Sequence, residues 1–242
     1  MSGCEAKTAV VLAGGAGLRL RPLTDSQPKV MVRVLGKPIL QWVIEWLKHN
    51  GIKHVIIGVA YCKDSVMDFF GNGSKLGVKI DYSVHSVEGE TGEGFQLAVN
   101  RFVNDQVFVA MNGDEITNLD LKDMVDYHCK HRSVATIAVA NPRSPFGVVR
   151  MGEDGLISGF DEKPLIPSML VSMGVYVFGK EVKDYLPEKG RIEETTFPLL
   201  AKEKLLGGYI MKETWMTINT IKELKLAEDV LRKKVHDETW LT

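Results

Sequence analysis

The chain has 242 residues, of which 45% are hydrophobic and 25% are charged, and its 30 Lys and Arg against 31 Asp and Glu leave a formal charge of −1. This balance excludes a general electrostatic attraction to nucleic acid, so any site for an anion has to be local. No apolar run reaches the roughly 20 residues that cross a bilayer, and no signal peptide stands at the N-terminus, so no membrane partner is expected.

Strands and helices alternate through the first half of the sequence. Short apolar runs that end at turn residues predict strands in KTAVVLAG, KHVIIGVA, VKIDYSV and QVFVAMNGD. Apolar residues at helical spacing predict helices in PILQWVIEWLKHNG, KDSVMDFFGNG and GFQLAVNRFV. Strands that alternate with helices indicate an α/β fold with a mainly parallel sheet and helices on both faces.

The pattern changes after about residue 132. Short strands joined by turns are predicted in VATIAVA, GVVRM, LISGFDEK and MGVYVFG, and we expect them to form a small antiparallel or mixed extension laid over the first sheet. Helices are predicted in IEETTFPLLAKEK and IKELKLAEDVLRKKVHD. No linker or repeat divides the chain, so one domain is expected over residues 1–242, with halves at about 7–132 and 133–242.

Cysteine usage agrees with a reducing compartment. Cys4, Cys62 and Cys129 are odd in number and far apart, and they show neither metal-ligand spacing nor a disulfide framework. The sequence therefore predicts a cytoplasmic protein without disulfides.

One segment near the N-terminus combines glycines with cations. In VVLAGGAGLRLRPLTDSQPKVMV, residues 10–32, three glycines follow the first strand and precede Arg19 and Lys29. Glycines allow backbone N–H groups to approach a phosphate chain, and Arg and Lys supply opposite charge. The spacing is neither that of a Walker P-loop nor that of a Rossmann dinucleotide motif.

The same segment resembles the signature L-A-G-G-x-G-T-R-L-x-P-L-T-x-x-x-P-K-P of the sugar-1-phosphate nucleotidyltransferases, with Leu18 in place of the Thr. Further blocks follow in the family's order to about residue 230. The resemblance implies a three-layer, Rossmann-like fold with a nucleotide-binding first half and a sugar-phosphate-binding second half. It also implies transfer of a nucleotidyl group from a nucleoside triphosphate to a sugar 1-phosphate, with release of pyrophosphate.

The resemblance assigns the residues around the triphosphate. Arg19 matches the arginine that stabilises the leaving pyrophosphate, and Lys29 matches the lysine near the α-phosphate. Both are expected to be catalytic together with Asp114. The nucleotide is expected to contact Leu12, Ala13, Gly14, Gly15, Ala16, Gly17, Thr91, Glu93 and Asn112.

A Mg²⁺ ion is expected between the two substrates. Asp114 ends a predicted buried strand, where α/β sheets place ligand groups, and it matches the family's metal-binding Asp. The family motif W-x-D-x-G-T is replaced by WMTINT, so direct alignment places Thr217 at the second ligand. A neighbouring branch, which includes N-acetylglucosamine-1-phosphate uridylyltransferases, uses an Asn, which makes Asn219 the candidate. The alternative is that Asn219 only caps the last helix.

The acceptor site is assigned from the second half. Lys163 matches a lysine that contacts the sugar phosphate, and Glu193 matches a residue that binds sugar hydroxyls. Gly147, Glu162 and Ser172 complete the predicted sugar-phosphate site, although Ser172 replaces the usual Asn of N-x-G-[IV]-Y.

Glu93 is a departure that bears on the base. In EGETGEGFQLA this residue stands where L-G-T-A-G-A-L-x-x-A has a glycine. A carboxylate near the base accepts hydrogen bonds from the amino groups of guanine or cytosine, which uracil and thymine lack. The alternative is that Glu93 points to solvent.

The blocks NGDEITNLDL and FGVVRMGEDGLISGFDEKP most resemble mannose-1-phosphate and heptose-1-phosphate guanylyltransferases, so GTP and a sugar of that type are expected first. UTP, CTP or dTTP with another sugar or alcohol phosphate remains open, as does a homo-oligomer. A non-catalytic nucleotide-sugar-binding regulatory protein is the alternative class, since the second metal Asp is missing. Retention of Arg19, Lys29, Asp114 and Lys163 favours the enzyme.

Overall fold

The computed structural model describes residues 4–236, and its first half alternates strands and helices as the sequence predicts. The strands are β1 (Thr8–Leu12), β2 (Arg33–Val34), β3 (Lys37–Pro38), β4 (His54–Val59), β5 (Lys79–Val84), β6 (Val107–Asn112), β7 (Glu115–Thr117), β8 (Ala135–Ala140), β9 (Val148–Met151), β10 (Ile157–Asp161), β11 (Val171–Gly179), β12 (Leu206–Ile210) and β13 (Trp215–Thr217). The helices are α1 (Ile39–His49), α2 (Lys63–Phe70), α3 (Glu90–Phe102), α4 (Leu121–His131), α5 (Thr196–Lys202) and α6 (Ile221–His236). Within the described residues, every helix is too short or too polar to span a bilayer.

A seven-stranded sheet forms the centre of the molecule, in the order β12-β8-β11-β6-β1-β4-β5. β1 pairs in parallel with β4 and β6, and β5 pairs in parallel with β4. β11 runs antiparallel to both of its neighbours, whereas β12 is parallel to β8. The sheet is therefore mixed but mainly parallel, which confirms the predicted fold class.

Two hydrophobic cores cover the two faces of the sheet. On β1, Val11 faces the core that contains Trp46 of α1, together with apolar side chains of α2 and α4. Val10 faces the other core, which contains Phe95 of α3 and Leu200 of α5. Alternate residues of one strand thus face opposite helix layers, as in a three-layer α/β fold.

The second half differs from the predicted extension. β8, β11 and β12 join the main sheet instead of lying over it, whereas β9 and β10 pair apart from it as an antiparallel hairpin. The reason is visible in β8 and β11, where consecutive apolar residues are buried, as expected of strands covered on both faces. β12 and α4 were not predicted, and α5 begins four residues later than Ile192. Asp237, the last residue of the predicted C-terminal helix, lies outside the described residues.

Two short strands and the last helix bring the C-terminal part of the chain to the glycine segment. β13 pairs antiparallel with β7, so that Thr217 lies opposite Glu115. α6 contributes Leu231 to a third core, in which Leu20 of the glycine segment and Ile218 are also fully buried. This packing holds the residues after β13 next to the loop after β1.

The cysteines were wrongly expected to be unpaired. Cys4 and Cys129 form a disulfide between the N-terminal segment and α4, with a Cα–Cα distance of 6.4 Å, and Cys62 is free. Residues 125 positions apart are brought together here by the packing of α4, which their spacing in the sequence does not indicate.

Candidate active site

A cavity of about 400 Å³ opens at the edge of the sheet where β1, β5 and β6 end. In open α/β sheets, ligands bind beyond the carboxyl ends of the strands. The lining residues come from the glycine segment, the start of α3, the end of β6 and the segment before α5: Leu12, Gly14, Gly15, Ala16, Lys29, Val30, His85, Val87, Glu90, Thr91, Asn112, Asp114, Arg191 and Glu193.

The glycine segment packs so closely that two of its glycines accept no side chain. Gly17 adopts a positive φ of 62°, and a Cβ there would lie 2.7 Å from the Lys29 side chain. A Cβ on Gly14 would lie 2.7 Å from the His85 ring. Gly15 has open space where its Cβ would stand, on the cavity side. The loop therefore places the backbone of Gly15 and the side chain of Lys29 at the cavity wall.

Lys29 lies at the centre of a cluster of polar side chains. Its side chain is only 9% exposed, and its ammonium pairs with Asp114 and donates to Asn219 Oδ1 at 2.6 Å. Arg19 donates to the same Oδ1 atom at 3.0 Å. The structure thus brings together Arg19, Lys29, Asp114 and Asn219, although up to 200 residues separate them in the sequence.

Asn219 faces this cluster because a neighbouring residue caps the last helix. The hydroxyl of Thr220 accepts from the N–H of Glu223 at 3.2 Å, and the Glu223 carboxylate accepts from the N–H of Asn219 at 2.8 Å. The arrangement resembles a capping box, except that Glu223 accepts from Asn219, the residue before the cap, and not from Thr220. The Asn219 side-chain amide donates to Thr217 Oγ1 at 2.8 Å, so Thr217 orients Asn219 and does not itself contact Lys29.

The Asp114 and Asn219 oxygens converge on one positive charge, which fits a cation site. Carboxylate and amide oxygens are the hard ligands that Mg²⁺ prefers, and Mg²⁺ is commonly held by one or two carboxylates together with substrate phosphates. Residues 4–236 contain no group of three or more His, Cys, Asp or Glu side chains that would hold a metal without such phosphates. The donor set therefore fits an ion shared with a phosphate chain.

Glu115 is a buried acid beside Asp114. Burial and the neighbouring Asp114 charge raise the pKa of Glu115 well above its usual range, whereas a hydrogen bond from Trp215 Nε1 at 2.8 Å lowers it. Gly174 has a φ of +67°, and a Cβ placed on it would lie 3.0 Å from the Glu115 side chain. Glu115 therefore anchors the β7–β13 pair beneath the polar cluster.

The opposite wall joins the start of α3 to the segment before α5. Gly92 N–H donates to the Gly190 carbonyl at 2.7 Å, and Ile192 N–H donates to Thr91 Oγ1 at 3.0 Å. The Thr91 hydroxyl in turn donates to Glu193 Oε2 at 2.8 Å. These bonds hold Thr91, Glu193 and Arg191 at one side of the cavity.

Several predicted residues lie away from this lining. The Glu93 carboxylate accepts from the backbone N–H of Ser86 at 2.8 Å and from its hydroxyl, and these bonds lower the Glu93 pKa. Lys163 pairs with Glu162 at 3.6 Å, and the Ser172 hydroxyl accepts from the N–H of Gly174 at 3.4 Å. Outside the lining are also Ala13, which follows β1, Gly17, which contacts Lys29, and Gly147, which packs against Phe160.

The sequence analysis missed cavity residues that have no distinctive pattern. His85, Val87 and Glu90 precede or begin α3, and Arg191 lies between two turns. Glu90 has a positive φ of 54°, and Arg191 precedes the predicted Glu193 by two residues. Only their proximity in sequence to Thr91 and Glu193 could have indicated them.

The comparisons with known proteins match one protein family over most of the chain. The model of the nucleotidyl transferase family matches residues 8–234. A mannose-1-phosphate guanylyltransferase of Mycobacterium tuberculosis is 36% identical over 88% of this chain and 61% of its own length. A UTP–glucose-1-phosphate uridylyltransferase of Synechocystis is 33% identical over 74% of this chain and 50% of its own length.

A crystal structure of HddC from Yersinia pseudotuberculosis complexed with GMP-PN has the same fold, with a TM-score of 0.72 at 22% identity; the match covers 93% of this chain and 99% of that chain. The chain spans only about half to three-fifths of the length of the curated relatives above. The family model nevertheless includes every residue of the polar cluster and of the cavity wall. The chain therefore belongs to the nucleotidyl transferase family.

Proposed function

We propose that this protein is a Mg²⁺-dependent sugar-1-phosphate nucleotidyltransferase, which transfers guanylyl from GTP to a mannose- or heptose-type sugar 1-phosphate and releases pyrophosphate. The observation that carries the proposal is the cluster of Arg19, Lys29, Asp114 and Asn219 beside the open backbone of Gly15. Cations and converging oxygens at the mouth of a glycine loop suit two phosphate-bearing substrates and a metal ion.

The reaction joins two anions, so most of the work falls to charge stabilisation and alignment. A phosphate oxygen of the sugar phosphate attacks the α-phosphorus of GTP in line, and the bond from that phosphorus to the bridging oxygen of pyrophosphate breaks. Lys29 is proposed to stabilise charge on the α-phosphate and Arg19 the charge on the leaving pyrophosphate. Both guanidinium and ammonium groups are preorganised by their bonds to Asn219.

Asp114 and Asn219 are proposed to hold the Mg²⁺ ion, which neutralises phosphate oxygens when bound. In the described structure the same oxygens accept from the Lys29 ammonium group. Glu193 is proposed to bind the acceptor, since the hydrogen bond that it accepts from Thr91 leaves its second oxygen available for a sugar hydroxyl.

GTP and a mannose-type acceptor are proposed first because several relatives are named mannose-1-phosphate guanylyltransferases. A uridylyltransferase also stands among the relatives, so the base has to be tested. Glu93 contributes no support for GTP, since it does not line the cavity and its Oε2 atom accepts from Ser86.

The test is pyrophosphate release from a panel of GTP, UTP, CTP and dTTP, each with mannose, glucose and heptose 1-phosphates and with Mg²⁺. We expect the fastest release with GTP and a mannose- or heptose-type acceptor. Lys29→Met keeps the side-chain length without the charge, and we expect it to lower kcat by roughly 100- to 1,000-fold, as for loss of one preorganised charge stabiliser. No release by the wild type with any pair, together with binding of nucleotide sugar, would instead favour a regulatory protein.

A further inference from the structure

We infer that Arg191 binds the phosphate group of the acceptor sugar phosphate and selects phosphorylated sugars over neutral ones. This inference rests on the proposed function and adds a residue to its acceptor side. The starting point is electrostatic. The residues that line the cavity include three carboxylates, on Glu90, Asp114 and Glu193, but only two cationic side chains, on Lys29 and Arg191.

Lys29 is already engaged by its neighbours. Its ammonium contacts the Asp114 carboxylate and the Asn219 carbonyl oxygen and is almost fully buried. A sugar phosphate that enters this cavity brings up to two further negative charges beside three carboxylates. Positive charges close to the phosphate are needed to offset this repulsion in a partly desolvated site. Arg191 is the lining cation that has no buried carboxylate partner.

The Arg191 side chain makes only a weak contact with Glu194, whereas its backbone is fixed by hydrogen bonds. The guanidinium lies 3.4 Å from the Glu194 carboxylate, and both side chains are more than half exposed, so the pair contributes little stability and can exchange for a ligand. The Arg191 carbonyl, by contrast, accepts from the backbone N–H groups of Glu194 and Thr195 and from the Thr195 hydroxyl. The arginine is therefore anchored at its backbone and free to reorient at its head.

The neighbours of Arg191 place it on the acceptor side. Gly190 and Ile192, on either side of it, are hydrogen-bonded to Gly92 and Thr91 at the start of α3. Glu193 lies two residues further on, and its carboxylate suits sugar hydroxyls. A planar guanidinium binds two phosphate oxygens at once, which an ammonium does not. Arg191 and Glu193 would thus contact the charged and the neutral parts of one sugar phosphate.

The sequence predicts that Lys163 contacts the sugar phosphate. Lys163 pairs with Glu162 after the β9–β10 hairpin and does not line the cavity. Arg191 therefore supplies the cationic group at the acceptor wall in the described structure.

The experiment compares Arg191→Ala and Arg191→Lys with Glu194→Gln as the matched control. Loss of one charge-assisted hydrogen-bonding group is expected to raise KM for the sugar phosphate roughly 10- to 100-fold in Arg191→Ala, with KM for the nucleotide within about twofold of wild type. Arg191→Lys should show an intermediate increase, because the charge remains and the planar fork is lost. Glu194→Gln should leave both KM values within about twofold, since only an exposed ion pair is removed.

Direct binding separates this inference from the proposed function. Calorimetric titration of mannose 1-phosphate and of mannose, with Mg²⁺ and a non-hydrolysable GTP analogue, should show a preference for the phosphate in the wild type that Arg191→Ala abolishes. An active wild type with an unchanged acceptor KM in Arg191→Ala overturns the role of Arg191 and leaves the proposed function intact. A wild type without turnover that still shows this Arg191-dependent preference overturns the proposed function alone.

Discussion

Asn219 and Thr217 show how two residues in the same short segment acquire different tasks. Asn219 presents its carbonyl oxygen to Lys29 and Arg19, whereas the Thr217 hydroxyl accepts from the Asn219 amide and hydrogen-bonds the Glu115 carboxyl. The alternative role for Asn219 was to cap the last helix, but Thr220 forms that cap. The carbonyl of Asn219 is thus left for the polar cluster.

We expect Asn219→Ala to impair the enzyme more than Thr217→Ala. The first change removes an acceptor from two cationic donors, and each such bond is typically worth about 1.5–3 kcal/mol, so a loss of roughly 10- to 100-fold or more in kcat/KM is expected. The second removes the neutral bond from Asn219, typically worth about 0.5–1.5 kcal/mol, together with the hydrogen bond between Thr217 and the buried Glu115. The Mg²⁺ concentration for half-maximal activity, measured for both variants, should rise more in Asn219→Ala. The opposite ranking would identify Thr217 as the ligand.

The glycines of the first loop offer a matched pair of substitutions. Gly14→Ala would press a Cβ against His85 and Ala60, and such overpacking typically costs about 1–3 kcal/mol of stability. Gly15→Ala meets no atom within 4 Å, so the free energy of unfolding should stay nearly unchanged. The new methyl group would, however, stand where a phosphate approaches the backbone. Urea unfolding and GTP titration of both variants test this; equal nucleotide affinity in Gly15→Ala and wild type would place the phosphates elsewhere.

At the scale of elements, α6 and the β7–β13 pair join the C-terminal segment to the glycine loop. The register of β13 on β7 sets Thr217 opposite Glu115, and Asn219 follows two residues later. α6 then packs Leu231 against the core that includes Leu20, one residue after Arg19. The geometry of the polar cluster therefore depends on a helix that contributes no side chain to the cavity.

Substituting a buried and an exposed leucine of α6 distinguishes the effect of core packing from that of a leucine-to-alanine change in the helix itself. Leu231→Ala removes a fully buried side chain and should cost about 2–5 kcal/mol, with a loss of activity because Asn219 is no longer held in place. Leu226→Ala, on the exposed side of the same helix, should change stability by less than about 0.5 kcal/mol. Denaturant unfolding and kcat/KM are measured for both. A similar effect of the two changes would mean that α6 does not support the site through this core.

At the scale of the whole molecule, the sheet buries one titratable group far from the cavity. His128 of α4 is 3% exposed, and its Nδ1 atom lies 2.9 Å from Thr136 Oγ1 on β8. Burial lowers the pKa of His128 to about 4, against a smaller opposing effect of Glu181. The folded protein therefore keeps this imidazole neutral at a pH where the unfolded chain protonates it.

The sign of the pH dependence follows from this difference. Above the unfolded pKa of 6.5 the contribution of His128 to stability is fully present, and it decreases as pH falls towards 4, by up to about 3 kcal/mol. The free energy of unfolding of the wild type should fall more steeply between pH 6.5 and 5 than that of His128→Gln. Parallel pH profiles of the two proteins would show that His128 is protonated in the fold.

The local patterns of the sequence were enough to predict four strands of the main sheet and to single out the glycine segment. Short apolar runs predicted β1, β4, β5 and β6, and helical spacing predicted the helices between them, because the burial of each such element is set by its own residues. α4 and β12 escaped this reasoning, since α4 is rich in polar residues and β12 is an edge strand with two glycines.

The sequence by itself determined the family, the α/β order and the residue types of the glycine segment, since these are written in contiguous motifs. Tertiary structure decided which of these residues meet: Asn219 and not Thr217 faces Lys29, Glu93 bonds Ser86, and Arg191 lines the cavity where Lys163 does not. The physical reason is that these contacts depend on strand register and helix packing between segments up to 200 residues apart. A shift of one residue in β13 would turn the following side chains to the other face, and no local pattern encodes that register.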